Sequence, residues 1–346
     1  MKKDILSMYP EEIESDIVAL GYPKYRAEQI IGWLGKGVRS FSEMKNIPAQ
    51  MRSELENIYS LYKPKVLRKE VSDIDGTCKY LWELYDGNAV ETVVMKYSYG
   101  NTVCVSTQVG CRQGCAFCAS TIGGLVRCLN ASEILDEVFY SELDSGMKIS
   151  NIVLMGIGEP LDNFDNVIRF IKLVSHPKGM NIGLRHITLS TCGIIEKFDA
   201  LADEMLPITL TVSLHAPDDE TRSMLMPANR GRGVDQLMQA CKKYFQATGR
   251  RISFEYAMVD GVNDSDRHAL LLAQRANEVY AHVNLITLNH VEERRFQPSS
   301  ESRMKAFVKI LQDSGVNVTI RRKLGGDVNA SCGQLRRKFI SSETEN

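Results

Sequence analysis

From residue 101 onward, six short β-rich runs alternate with helix-length amphipathic stretches, and that alternation leaves few folds open. The runs are "NTVCVST", "NIVLMGIG", "HITLST", "ITLTVSLHA", "ISFEYAMV" and "HVNLITLN". Between them lie segments such as "SEILDEVFYSELDSG" and "DSDRHALLLAQRANEVY", with apolar residues at helical spacing. Strands that return through a helix lie parallel, joined by right-handed crossovers. Eight such units close a barrel. Six predict an α/β fold with a partial (β/α)6 TIM-like barrel over 99–346.

Upstream the pattern differs. Over 1–65, "YRAEQIIGWLGKGV" and "IPAQMRSELENIYSLY" carry helical periodicity, so a small helical N-terminal domain is expected. Lys24, Arg26, Lys36 and Arg39 add positive charge that could face RNA, although solvated helix faces commonly carry such residues. Over 66–98, two β-rich runs flank Asp86-Gly87-Asn88, which predicts a β-hairpin extension.

Composition narrows the function. The 346 residues are 44% hydrophobic with net charge -1, so a core is affordable and any nucleic-acid contact must come from a local basic patch. No run of 18 apolar residues exists, and the N-terminus turns acidic too early for a signal peptide. A cytoplasmic protein with reduced thiols and no membrane span is expected. Its nine cysteines then read as metal-binding, catalytic or buried rather than disulfide-bonded.

In barrels of this type chemistry sits at the C-terminal strand ends. Gly158 and Glu159, Ser190, Ser213 and His215, and Asn289 all fall there. So does "VGCRQGCAFCAST", which follows the first strand and supplies Cys111, Cys115 and Cys118. Electron-carrying iron–sulfur cubanes take four thiolates. Three leave one iron without a protein ligand, the open position that marks a catalytic metal. Cys128, ten residues on in an expected loop, could serve only by folding back. A zinc knuckle is the competing reading, but no histidine lies between residues 1 and 175 to complete a local site.

The Cys-x3-Cys-x2-Cys loop, with an aromatic before its last cysteine, resembles the radical S-adenosylmethionine superfamily. "ETVVMKYSYGNTVCVSTQVGC", "LMGIGEPLDN" and "DVNASCGQL" narrow the likeness to its RNA adenine C-methyltransferases, the RlmN/Cfr-like family, over about 20–340. That resemblance implies one 4Fe-4S cluster on Cys111, Cys115 and Cys118, and S-adenosylmethionine consumed twice per turnover. Gly158, Glu159, Ser190, Ser213, Leu214, His215 and Asn289 match the family's cofactor contacts. Cys332 matches the cysteine that carries the methyl group, Cys104 the one that resolves the adduct through a transient Cys104–Cys332 disulfide, and Glu91 the proton acceptor. Read without the family, Cys104 is a buried small hydrophobe and Glu91 a solvent-facing strand residue. The implied substrate is an adenine of 23S rRNA, with tRNA as a second candidate. The implied electron donor is a cytosolic flavodoxin or ferredoxin, and a monomer is expected.

RNA contact would draw on Arg321, Arg322 and Lys323, on Arg336, Arg337 and Lys338, and on Arg230 and Arg232. Cys78, Cys128, Cys192 and Cys241 match no family role. The chain departs from the usual family pattern at Asn329, Ser331, His290 and Cys192. "GEPLDN" and "CASTIGG" favour methylation at adenine C2. C8 methylation, a divergent RNA target, and an RNA-binding protein with a structural cluster stay open as alternatives.

Overall fold

A computed structural model of the chain describes residues 2–289, 291 and 293–328. The chain opens with β1 (Lys3–Asp4), α1 (Pro10–Ala19), α2 (Tyr25–Gly35), α3 (Ala49–Ile58) and β2 (Tyr59–Ser60), β1 and β2 pairing in parallel. Proline begins α1, where its missing N–H costs nothing, and Glu12 Oε2 accepts the Tyr9 N–H at 2.7 Å to cap the helix. The apolar faces meet in a small core of their own, built on Ile13, Ile17, Ile30, Leu34, Met51 and Leu55.

Next come β3 (Lys65–Val71), β4 (Cys78–Glu83) and β5 (Ala89–Tyr97), then β6 (Gly100–Cys104). The expected hairpin around Asp86-Gly87-Asn88 is β4–β5, and β3 widens it to three antiparallel strands that continue the main sheet. Beyond β6 lie β7 (Gln108–Gly110), β8 (Leu125–Cys128), α4 (Ala131–Ser145), β9 (Ile149–Leu154), α5 (Phe164–Ser175) and β10 (Ile187–Thr191). Then follow α6 (Phe198–Asp203), β11 (Thr209–Ser213), α7 (Asp219–Leu225), α8 (Gly233–Thr248) and β12 (Ser253–Met258). The described chain finishes with α9 (Asp266–Glu278), β13 (His282–Thr287), α10 (Glu301–Asp313) and β14 (Val318–Ile320).

Among the described residues ten strands form one sheet, ordered β14-β13-β12-β11-β10-β9-β6-β5-β4-β3. All six expected barrel strands are present and parallel, each neighbour reached through a helix. A seventh parallel strand, β14, is three residues long, too short to leave a periodic signal. The sheet stays open as a partial barrel. Its outer face packs on the helices through the main core, which includes Tyr80, Trp82, Val90, Val94 and Phe170.

The N-terminal helices are fastened to α4 and α5 by charge. Arg39 is buried against Asp136 at 2.6 Å and lies over the rings of Phe139 and Tyr140. This corrects the expectation that Arg39 is a surface charge, solvated or RNA-facing. Arg169 bonds Glu12 at 2.7 Å in the same seam. Lys24 pairs with Glu14 on the surface.

After β14 the chain crosses the inside of the barrel. The Arg321 N–H donates to Leu285 O at 2.9 Å, and Leu324 packs on Val93, Met95 and Cys104. The turn between β3 and β4 then catches the strand-crossing segment. Gly325 N–H donates to Asp75 Oδ2 at 2.8 Å, Ser72 Oγ to Asp327 Oδ1 at 2.7 Å, and Asp73 N–H to Asp327 Oδ2 at 3.0 Å. Residues 321–328 thus form a strap joining the two edges of the open sheet.

Candidate active site

The cysteine loop leaves β7 through Gly110, whose φ is +77°; a Cβ there would sit 1.9 Å from Gly124 O, so no other residue fits. Beyond it the loop is pinned by its carbonyls. Thr121 Oγ donates to Cys115 O and Cys118 O at 3.2 and 3.0 Å, and Arg294 Nη2 reaches Cys118 O at 3.0 Å. The Ala116 N–H bonds Leu225 O at 2.8 Å. Cys111, Cys115 and Cys118 all line one cavity of about 670 Å³ at the barrel mouth.

Burial, helped by Cys118 and the nearby Glu159 and Asp162, pushes the Cys111 thiol up to about 12, and burial raises Cys115 as well. Thiols so placed give up their protons only to a metal. Among the described residues no three His, Cys, Asp or Glu side chains converge closely enough to hold a single ion. Soft donors spread around a roomy cavity suit a multi-iron cluster, so the residues present fit such a group. Cys128 stands apart. It ends β8 rather than lying in a loop, and its sulfur meets Gln108 Nε2 at 3.5 Å instead of the cavity.

Opposite the cysteines, the strand ends supply the polar wall. Gly158 has φ +114°, and a Cβ on it would press to 2.7–2.8 Å on Gln108 and Thr107. This close approach brings Glu159 into the cavity wall almost fully buried, so burial raises its carboxyl. The oxygens are nonetheless held by backbone donors: Leu161 N–H on Oε1 at 3.0 Å and Cys192 N–H on Oε2 at 2.7 Å. A buried carboxylate so anchored is suited to receive an ammonium group.

Ser190, Ser213, His215 and Asn289 line the same cavity. His215 adopts φ +54°, a strained conformation outside glycine that concentrates at functional sites. Its Nδ1 accepts the Ala257 N–H at 2.9 Å, which leaves the ring hydrogen on Nε2. Burial, with the Arg222 charge, lowers its pKa to about 3, so the ring is a neutral donor. Leu214, by contrast, is not brought to the cavity. Its side chain is in the main core, its N–H bonds Glu255 O and its carbonyl accepts Arg222.

Cys104 lies in the cavity wall, in register with Val93 across β5–β6. Glu91 is buried rather than solvent-facing, at 4 % exposure. Alternation along β5 puts it on the side of Val93 and Met95, which line the cavity, while Val90 and Val94 point into the main core. Arg321, Arg322 and Lys323 of the strap also line the cavity. Arg230 is exposed and Arg232 bonds Glu196 at 2.7 Å. Cys332, Arg336, Arg337, Lys338, His290, Asn329 and Ser331 lie outside the described residues.

Two contributors carried no motif in the sequence. Arg222, buried in α7, spans three loops by donating to Leu214 O at 3.1 Å, Cys192 O at 2.7 Å and Asn229 Oδ1 at 2.9 Å. Glu255 on β12 lines the cavity, pairs in register with Ser213 and accepts from Asn284 Nδ2 at 3.0 Å. A lone Arg in "DETRSML" and a lone Glu in a strand have no distinguishing spacing.

A partial parallel barrel whose mouth gathers three thiols and a buried glutamate defines a radical S-adenosylmethionine enzyme. Comparison with known proteins agrees: residues 105–273 match the Radical SAM superfamily, and residues 3–61 match the ribosomal RNA large subunit methyltransferase N-terminal domain. The "Probable dual-specificity RNA methyltransferase RlmN" of Clostridium tetani is 48% identical over 99% of this chain and 98% of its own length. The protein of the same description from a Thermoanaerobacter species is 49% identical over 97% and 98%. Among solved structures, a radical SAM methyltransferase from Sphaerobacter thermophilus superposes with a TM-score of 0.90 at 39% identity, covering 96% of this chain and 98% of that one. The chain belongs to the RlmN family of radical S-adenosylmethionine RNA methyltransferases. Its cofactors are accordingly S-adenosylmethionine and a 4Fe-4S cluster held by three cysteines. No helix among the described residues is long and apolar enough to cross a membrane.

Proposed function

We propose that this enzyme methylates carbon 2 of an adenine in 23S rRNA, and of an adenine in tRNA, through a methylated cysteine. Cys111, Cys115 and Cys118 hold the cluster. Gly158, Glu159, Ser190, Ser213, His215 and Asn289 hold S-adenosylmethionine. When bound, these groups would supply a methyl donor, a radical that removes one hydrogen from the transferred methyl, and a one-electron acceptor for the odd electron that radical addition leaves on the tethered base. An adenine C2 is an amidine carbon too poor in electrons to attack a sulfonium, which is why a radical route suits it.

The chain's own residues do the rest. The Cys332 sulfur attacks the sulfonium methyl, forming a new C–S bond as the donor C–S bond breaks and the thiol proton leaves. After hydrogen removal, that carbon bonds the adenine and tethers the RNA to Cys332. Glu91 takes the proton from the substituted carbon. The Cys104 thiolate then attacks the tethered sulfur. The sulfur–carbon pair leaves with the base, is protonated to a methyl group, and a Cys104–Cys332 disulfide remains for a thiol reductant. The adenine must leave its stack to reach the barrel mouth. The protein acts as a monomer fed by a flavodoxin or ferredoxin.

The observation that carries this reading is Cys104. It sits in the wall of the same cavity as the three loop cysteines, on a strand in register with the antiparallel extension. The dual specificity in the relatives' names supports two RNA classes. The test is Cys104→Ala with reconstituted cluster, cofactor and reductant. A covalent protein–RNA species should accumulate, and mass spectrometry of wild-type product should place the methyl on C2. A methyl on C8, or turnover without Cys104, overturns the proposal.

A further inference from the structure

Lys79, the second residue of β4, is 1 % exposed, a place ammonium groups almost never occupy. Its Nζ stands 3.6 Å from Oε1 of Glu91. The register explains the meeting. Lys79 pairs with Val93, and Val93 with Cys104, so Lys79, Val93 and Cys104 form one row across three strands. Glu91 lies two residues along β5, beside that row and toward the strand ends. Its backbone carbonyl accepts Ser106 Oγ at 2.7 Å, and the same hydroxyl accepts the Ile157 N–H at 3.0 Å, one residue before Gly158. The backbone at Glu91 is therefore fixed beside Val93 and Met95 of the cavity wall, one step behind the lining residues.

Stability gives no reason for this lysine. Replacing a buried ion pair by apolar side chains of similar volume is commonly neutral or stabilising, because desolvating two charges offsets their attraction. The neighbours on this face, Leu81 and Ala89, are apolar. A carboxylate that must meet one particular carbon, however, has to be aimed, and an aimed side chain needs a locked partner.

We infer that Lys79 is a positioning residue for the reaction, its ammonium holding Glu91 directed at the target base carbon. This rests on the role of Glu91 proposed above. In the step concerned, the odd electron of the tethered base has passed to the one-electron acceptor that the iron–sulfur group would supply, the carbon–hydrogen bond breaks, its electron pair stays in the purine ring, and the proton passes to Glu91. Misdirecting Glu91 stalls the enzyme after tethering and before release by Cys104.

The test uses the full chain with reconstituted cluster, S-adenosylmethionine, reductant and an RNA hairpin bearing the target adenine. Lys79→Met leaves a buried carboxylate without its cation, so it should lower the melting temperature by about 4–7 °C, and it should release 5′-deoxyadenosine at the wild-type rate in the first turnover. Tethered protein–RNA on a denaturing gel should rise at least tenfold while methyladenine falls at least tenfold. Glu91→Gln should behave alike, the double variant should add nothing, and Lys79→Arg should restore part of the release. If Lys79→Met does not fold, Lys79→Gln is read in the same way. Normal release by the lysine variant while Glu91→Gln stalls overturns the inference and leaves the Glu91 role standing. Loss of 5′-deoxyadenosine formation in Lys79→Met also overturns it. Normal release by Glu91→Gln removes the Glu91 role itself.

Discussion

The cavity has two walls built on different principles. The wall formed by the parallel strand ends is held by backbone groups: Glu159 by the N–H groups of Leu161 and Cys192, His215 by that of Ala257, and the cysteine loop through its carbonyls. The wall formed by the antiparallel extension and the strap also uses pairs of side chains: Lys79 on Glu91 and Ser72 on Asp327. Backbone anchoring gives a rigid bed suited to a cofactor that binds the same way each cycle. Side-chain anchoring can be rearranged, which suits a wall that meets a macromolecular substrate.

Breaking the first wall at its metal gives the largest effect. Cys115→Ala should fold but lose the iron, with the charge-transfer absorbance absent and methylation down by about a thousandfold or more. Iron and sulfide analysis beside a melting curve checks it. Next is Arg222→Met, which strands the carbonyls of Leu214 and Cys192 and the Asn229 amide. Losing a buried charged donor with several partners should cost about 3 kcal/mol, or roughly 5 °C in Tm, and weaken cofactor binding.

The second wall should yield more gently. Ser72→Ala removes one bond of the latch and should speed tryptic cleavage at Arg321, Arg322 or Lys323 about fivefold, with Tm almost unchanged. Equal cleavage in variant and wild type would show the strap to be held by packing alone. The smallest effect concerns His215. Its folded pKa is about 3 against about 6.5 when unfolded, so the unfolded chain binds the extra proton first as pH falls. The histidine's contribution is complete above pH ~6.5 and declines as pH drops toward 3. Denaturant titrations from pH 7 to 5 should show a shallower loss of stability for His215→Gln. A steeper loss would mean that the ring is charged in the fold.

Much of this could be read from the chain. The six barrel strands, the Asp86-Gly87-Asn88 hairpin and the helices α2 to α4 and α9 follow periodicities of two and 3.6, which are local. The residues at the strand ends were legible because the fold class dictates where the loops converge. Arg39 was misread because a charge in the connection after an amphipathic helix looks the same in sequence whether it meets water, RNA or Asp136 on α4. Glu91 read as solvent-facing because alternation tells which residues share a face, but not whether that face is buried, as here where Lys79 lies against it.

By itself the sequence determined the parallel α/β architecture and the three-thiol loop, since each rests on residues close in the chain. Only the tertiary structure decided that Lys79 meets Glu91, that Arg222 joins three loops, and that the turn at Ser72 fastens Asp327, 255 residues away. Such contacts depend on sheet order and register. Two residues far apart along a chain leave no periodic trace of the distance that folding removes between them.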